Sequence, residues 1–224
     1  MTGPFLPPAG PAADHVAELV ALLGLLALAP AALVLLTSFL KIAVVLSIAR
    51  SALGAPQVPP STAVTGLALV LSLLVMAPIG ERAAALAAAR PGEVGVAGAA
   101  ARLARAAEPV REFLARFARP DDRAAFLDVA RRLRAPGAAP PGEDDLAVLA
   151  PAFVVSELRR AFTIGFVVFV PFLAVDLVVA NVLLALGLTQ LSPTSVALPF
   201  KLLLFVAVDG WRLLARALAL SYAG

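Results

Sequence analysis

Three ionisable side chains, Asp176, Lys201 and Asp209, stand inside long apolar runs near the C-terminal end of this 224-residue chain. A carboxylate at mid-bilayer costs roughly 2.5–3.5 kcal/mol on insertion scales, so Asp176 must face protein, water or a counter-charge. Lys201 is its natural partner, because the two flank one Pro-containing polar turn, TQLSPTS, at 189–195. The competing chemistry is a proton relay through Asp176, Lys201 and Asp209. Pairing is the simpler reading. Phe205 and Asp209 follow Lys201 at i+4 and i+8, which drifts about 80° round a continuous helix. Asp209, Arg212 and Arg216 fall at i, i+3 and i+7, within reach of intrahelical pairing. Other chemistries lack their residues. There is no cysteine, and the single histidine, His15, sits in a Pro-rich tail, where a solvated residue is the simpler reading than a ligand. No Ser-His pair or Gly-rich phosphate loop is present, so no catalytic residue, metal or cofactor is expected.

The elements that must hold these groups are helices made for a bilayer or for the centre of a helical assembly. Hydrophobic residues make up 61% of the chain and charged ones 15%, against about 45–50% and about 25% in soluble domains. Charge is segregated: residues 81–160 hold 24 of the 33 charged side chains. Net charge is +3, but basic and acidic residues alternate, and no Lys/Arg run argues for nucleic acid. The division expected is a tail (1–14), a first apolar helical hairpin (15–80), an Ala/Arg-rich helical middle domain (81–150) and a second apolar hairpin (151–224). The fold class is all-α.

Met1 to Asp14 has no Lys or Arg, so it lacks the positive start of a secretory signal, and the first helix is expected to be retained. That helix should start near Asp14, run from Val16 to about Leu40 with Glu18 near its end, and kink at Pro30. Lys41 then interrupts the apolar run, which resumes before Arg50. Gly54, Pro56, Pro59 and Pro60 mark a turn. A second helix is expected from Ser61 to Ile79, ended by Pro78 and Gly80. Lys41 and Arg50, read as loop charges, place the first connection in the cytoplasm and the middle domain outside; Arg212 and Arg216 vote against that orientation.

In the middle domain, RAAALAAAR, RLARAAEPVREFLARFA and DDRAAFLDVARRLR favour helix by composition. Val110, Phe113, Leu114 and Phe117 form one apolar stripe, and Asp121–Asp122 after Pro120 suit a helix start. Breaks fall at Pro91–Gly92 and at Pro136 to Gly142. Ser156 with Glu157 reads as the start of the third long helix. Along it Leu158, Phe162, Phe166, Phe169 and Leu173 form a continuous stripe, explained by ordinary helix packing or by a pore-lining role, with a bend at Pro171. The fourth helix should begin after Thr194–Ser195, with Pro199 in its first turn. Seven apolar residues separate Lys201 from Asp209, too few for a free-standing span, so burial among partner helices is favoured.

LPFKLLLFVAVDGW (198–211), PAFVVSELRRAFTIGFVVFVPFLAVDLVVA (151–180) and KIAVVLSIARSALGAPQVPPS (41–61) resemble the FliP/SctR family, the core membrane component of flagellar and virulence type III secretion export. The resemblance covers nearly the whole chain apart from the tail and residues 81–150, and the turn LGLTQLSPTS looks nearer the virulence branch. It implies a homo-oligomer of about five copies, closed around a pore. It also implies FliQ/SctS-like and FliR/SctT-like membrane subunits as partners, secreted unfolded proteins as cargo, membrane lipid as surroundings and the bacterial inner membrane as location. The middle domain would face the periplasm, and much of the helical cone would stand out of the bilayer plane.

Family members carry consecutive methionines in the hairpin turn, where they narrow the pore. The matching positions here are Leu188, Thr189 and Gln190, which lack the pliable thioether. Phe162, Phe166, Phe169 and Phe205 are the expected subunit-packing residues. The function expected is therefore a pore-forming export-gate subunit. The rivals are an ion-coupled transporter using Asp176, Lys201 and Asp209, and a scaffold that does not line the pore.

Overall fold

A computed structural model gives the three-dimensional structure. It describes residues 20, 23, 24, 27, 30–32, 34–55, 57–89, 95–135 and 137–223. The described residues are helical with turns between, and no strand occurs among them. In order they form α1 (Phe39–Ala52), α2 (Ser61–Ala88), α3 (Gly95–Phe117), α4 (Pro120–Leu133), α5 (Leu146–Ala185), α6 (Pro193–Ala207) and α7 (Gly210–Leu220). Two of these, α2 and α5, are long and apolar enough to cross a membrane. Asp14, His15, Glu18 and most of the expected first helix lie outside the described residues.

Helix α1 is placed by a regular stripe. Ile42, Val45, Leu46, Ala49, Ala52 and Leu53 are all buried, the i, i+3, i+4 spacing of one helix face. The core it joins takes in Val64, Ala68 and Leu71 of α2, Ala161 and Phe172 of α5, and Leu214 and Leu218 of α7. Gly165 is needed here, because a Cβ on it would collide with the Ile48 side chain. A second core joins Phe113, Leu114, Phe117 and Ala118 with Leu149, Ala152, Phe153 and Tyr222. The expected stripe of α3 is thus turned inward, against the first turns of α5. Helix α5, 40 residues and about 60 Å long, is the spine on which α1, α3 and α4 are packed.

Five expected boundaries move, each for a physical reason. The helix expected to run through Leu40 breaks at 36–38, and Lys41 lies inside α1. Ser38 donates to the Ser72 hydroxyl at 3.1 Å, and the Thr37 hydroxyl accepts the Phe39 N–H at 3.2 Å. Such side-chain bonds compete with the helix ladder. Lys41 is therefore no loop charge, and it drops out of the topology count. Helix α2 runs through Pro78 and Gly80 to Ala88, carried by the helix-favouring ERAAALAA that follows and by packing on α3. Helix α5 starts eleven residues before Glu157, after Asp145, whose backbone carbonyl accepts from Val148 and Leu149 (both 2.9 Å).

At the C-terminal end α6 begins at Pro193, slightly earlier than expected, so Pro199 lies beyond its first turn. The long final helix is in fact two. Asp209 adopts a left-handed conformation (φ 52°) between α6 and α7. Gly210 follows, where a Cβ would run into the Phe205 ring. The i+8 relation of Asp209 to Lys201 on one helix therefore does not exist.

Candidate functional site

The hairpin of α5 and α6 ends in a turn built by local rules. Gly187 takes a positive φ (71°), and the Leu188 N–H reaches back to the Leu183 carbonyl at 2.9 Å. This is a Schellman stop, which glycine permits. Ser192 and Pro193 at the first helical position then open α6. Leu188, Thr189 and Gln190 sit between these signals, exposed, at the end of the hairpin.

Within the hairpin Lys201 donates to the Asp176 carboxylate at 2.6 Å. Lys201 is almost fully buried while Asp176 is 33% exposed. The other Asp176 oxygen, Oδ1, has no hydrogen-bond partner. Gly54, in a positive-φ turn after α1, lies beside Lys201 and Thr194. The expected pair is thus brought together. Asp209 is not part of it: it pairs with Arg212 at 2.8 Å, and both are exposed.

The aromatic stripe divides. Phe162 is 61% and Phe166 68% exposed, and Phe169 is partly buried against the first core. Phe205 departs from the expectation of an outward packing residue. It is buried within its own chain between Phe172, at 6.1 Å between ring centroids, and Trp211, at 5.0 Å. Beyond Phe166, the faces of α5 and α6 leave Leu177, Val178, Leu184, Leu203 and Val206 more than half exposed. An apolar groove between the two arms is lined by Val175, Val178, Val179, Val182, Val196 and Phe200.

At the opposite end of α5 lies a polar cluster that the sequence did not signal. Glu157 is fully buried and accepts from the Tyr222 hydroxyl, from Arg160 at 2.7 Å and from Lys41 at 3.2 Å. Lys41 also lies over the Tyr222 ring, 3.6 Å from its centroid. Arg160 holds the last turn of α3 as well, donating to the Phe117 carbonyl at 2.7 Å. Burial first, and then the Glu157 carboxylate, push the Tyr222 phenol above its ordinary range, so it stays a donor. The neighbouring Ser156 donates to Asp122 at 2.7 Å and accepts the Arg119 N–H at 2.8 Å, pinning α4 to α5.

Ser156 and Glu157 thus have capping-residue types but serve as docking groups inside a helix. The sequence marks the place only by the polar stretch Ser156-Glu157-Leu158-Arg159-Arg160 within an otherwise apolar run, which names none of the partners across the core. Among the described residues no group of three His, Cys, Asp or Glu side chains could hold a metal. The chemistry available is salt pairing and apolar packing.

Residues 22–218 match the model of the FliP family. The chain belongs to the FliP family. It is similar to Pathogenicity-related ORF2 of Xanthomonas campestris pv. glycines, 47% identical over 91% of this chain and 94% of that protein. It is similar also to the hypersensitivity response secretion protein HrcR of Ralstonia nicotianae, 43% identical over 92% of this chain and 97% of that one. The flagellar biosynthetic protein FliP of Pectobacterium carotovorum subsp. carotovorum is 46% identical over 92% of this chain and 78% of that one. As a FliP-family member the chain is a component of the type III export apparatus, a membrane protein of the inner membrane that works within a complex. FliP-family proteins are structural components of that apparatus and not enzymes.

Proposed function

We propose that this FliP-family chain is a pore-forming core subunit of the type III secretion export gate, passing unfolded proteins across the inner membrane. The observation that carries this reading is the uncovered hairpin. A soluble protein rarely exposes contiguous apolar surface on this scale, and large exposed patches mark interaction surfaces. Here one runs along the outer half of α5 and along α6, on either side of a partly buried ion pair. Copies of the chain, about five if it follows its family, bury those faces against each other and against FliQ/SctS-like and FliR/SctT-like subunits. Phe162, Phe166 and Phe169 pack between subunits. Leu188, Thr189 and Gln190 form the constriction, and Asp176 with Lys201 keeps the two arms in register.

In this proposal residues 81–150 form the middle domain and face the periplasm. Arg50, at the end of α1, then stands on the cytoplasmic side in keeping with the positive-inside tendency. The pore role is tested by crosslinking. Single cysteines at 188, 189 and 190, in a chain that has none of its own, are expected to crosslink to a substrate stalled during export. A complex that secretes normally while none of the three positions ever touches substrate would leave the chain a scaffold.

A further inference from the structure

We infer that the end of the hairpin, residues 172–205 with the turn at its tip, is a lever that pivots as one body about two facing joints. One joint is Pro171 in α5 and the other is Asp209–Gly210 between α6 and α7. The inference rests on the pore reading above and adds to it where the moving part begins. Four independent observations meet at one level of the molecule.

The first is the backbone break. Asp209 is the one non-glycine residue with a positive φ among the described residues, and it interrupts a run whose sequence is apolar enough to continue as helix. The left-handed conformation is disfavoured for residues with a Cβ, Asn and Asp being the tolerated exceptions. No hydrogen bond from the Asp209 side chain caps α7, so the break is not explained as a helix start alone. The second is Pro171, which has no N–H for the Val167 carbonyl and so removes one rung of the α5 ladder.

The third is what joins the two. Phe172, next to Pro171, meets Phe205, and Phe205 in turn meets Trp211 edge-on and occupies the space that a side chain on Gly210 would need. The aromatic cluster lies between the joints and can roll without exposing a polar group.

The fourth is the contrast in support on either side of this level. Below it α7 is anchored by Leu214 and Leu218 in the first core, and α5 by Ala161 and Gly165. Above it Phe172 and Phe205 still seat in that core and Ala197 and Lys201 are buried, but the outward faces of α5 and α6 are exposed, and the arms are tied to each other by Asp176 and Lys201. A Cβ on Gly54 would lie 3.6 Å from the Lys201 Nζ and 3.9 Å from the Thr194 Cγ2, so this turn lies close beside α6 and serves as the rest for the lever. A body tied internally, anchored at two joints and lightly rested on a turn is built to move as a unit.

The test is a pair of distance measurements by spin labelling in the assembled, secretion-competent complex, with labelled chains diluted by unlabelled ones. Labels at 190 and 216 span the joints; labels at 178 and 203 lie on the two arms of the lever. With a substrate stalled in the complex, the 190–216 distance is expected to shift while the 178–203 distance stays as it was. As a second arm, Asp209→Gly and Asp209→Asn, which keep the left-handed conformation accessible, are expected to secrete within about twofold of wild type. Asp209→Leu, which does not, is expected to assemble normally yet lose the 190–216 shift and most secretion.

The inference is overturned if 190–216 does not move with substrate bound, if 178–203 moves as much, or if Asp209→Leu secretes normally. These failures are separable from failure of the pore reading, because substrate crosslinking at 188–190 would persist with an immobile hairpin.

Discussion

The first half of α5 carries three charged side chains and the second only one, yet it is the more apolar second half that its own chain leaves uncovered. From Leu146 to Gly165 the helix buries Leu149, Phe153, Glu157 and Ala161 among others; from Phe166 to Ala185 it buries only Phe172 and Leu183. The polar groups follow the same division. Glu157 receives three donors, from Tyr222, Lys41 and Arg160, all within the chain. Asp176 receives one and leaves an oxygen without a partner. A buried carboxylate without its donors is costly. The first half is therefore a finished fold, and the second is the surface that the proposed assembly would complete.

Substitutions at the two ends should separate these roles, and the largest effect belongs to the finished half. Glu157→Ala strands Lys41 and Arg160 without their acid, and removing one partner of a buried pair costs about 3–5 kcal/mol. The expected outcome is a large drop in thermal stability of the detergent-solubilised protein and little folded chain in the membrane. A variant as stable as wild type would show that the in-chain polar cluster does not hold the fold.

Asp176→Asn should do less. It keeps the shape and replaces a charge-assisted bond by a weaker one, a loss of about 1.5 kcal/mol. The melting temperature is expected to fall modestly while complexes form and secretion is largely retained. Normal assembly with abolished secretion would instead favour a proton relay through this carboxylate. The smallest effect on the chain itself is expected at Phe166, 68% exposed. Phe166→Ala should change chain stability by less than about 0.5 kcal/mol, as at other surface positions. It should nonetheless lower the yield of oligomer on native electrophoresis. If it destabilised the isolated chain as Glu157→Ala does, the contrast between the halves would fail.

The parts of this arrangement that were legible in the sequence share a cause. The α3 stripe of Val110, Phe113, Leu114 and Phe117, the Asp121–Asp122 start of α4 and the Asp176–Lys201 pair each follow from local periodicity or from folding back across one short turn. The cluster of Lys41, Glu157 and Tyr222 did not follow, because its members are joined only by tertiary packing of segments more than sixty residues apart. Lys41 and Ser156–Glu157 were misread for the same reason. A charge after an apolar run and a Ser-Glu dipeptide look like helix ends until a partner across the core is known.

Pro78 and Asp209 failed in opposite directions. Surrounding helix propensity and packing carried α2 through a proline, whereas Asp209–Gly210, two poor helix formers that also mark turns, break a run that its apolar neighbours made look continuous. Phe205 shows the limit of reading residue type: like Phe166 it is an aromatic side chain in an apolar run, and only the fold distinguishes the inward ring from the outward one.

Whether the uncovered half of α5 is completed by further subunits is tested most directly by the native mass of the 22.9 kDa chain purified after co-expression with the proposed FliQ/SctS-like and FliR/SctT-like subunits. The account expects a single species containing several copies of this chain, about five by its family resemblance, together with both partners. A lone monomer that is stable, soluble in mild detergent and competent on its own would contradict it.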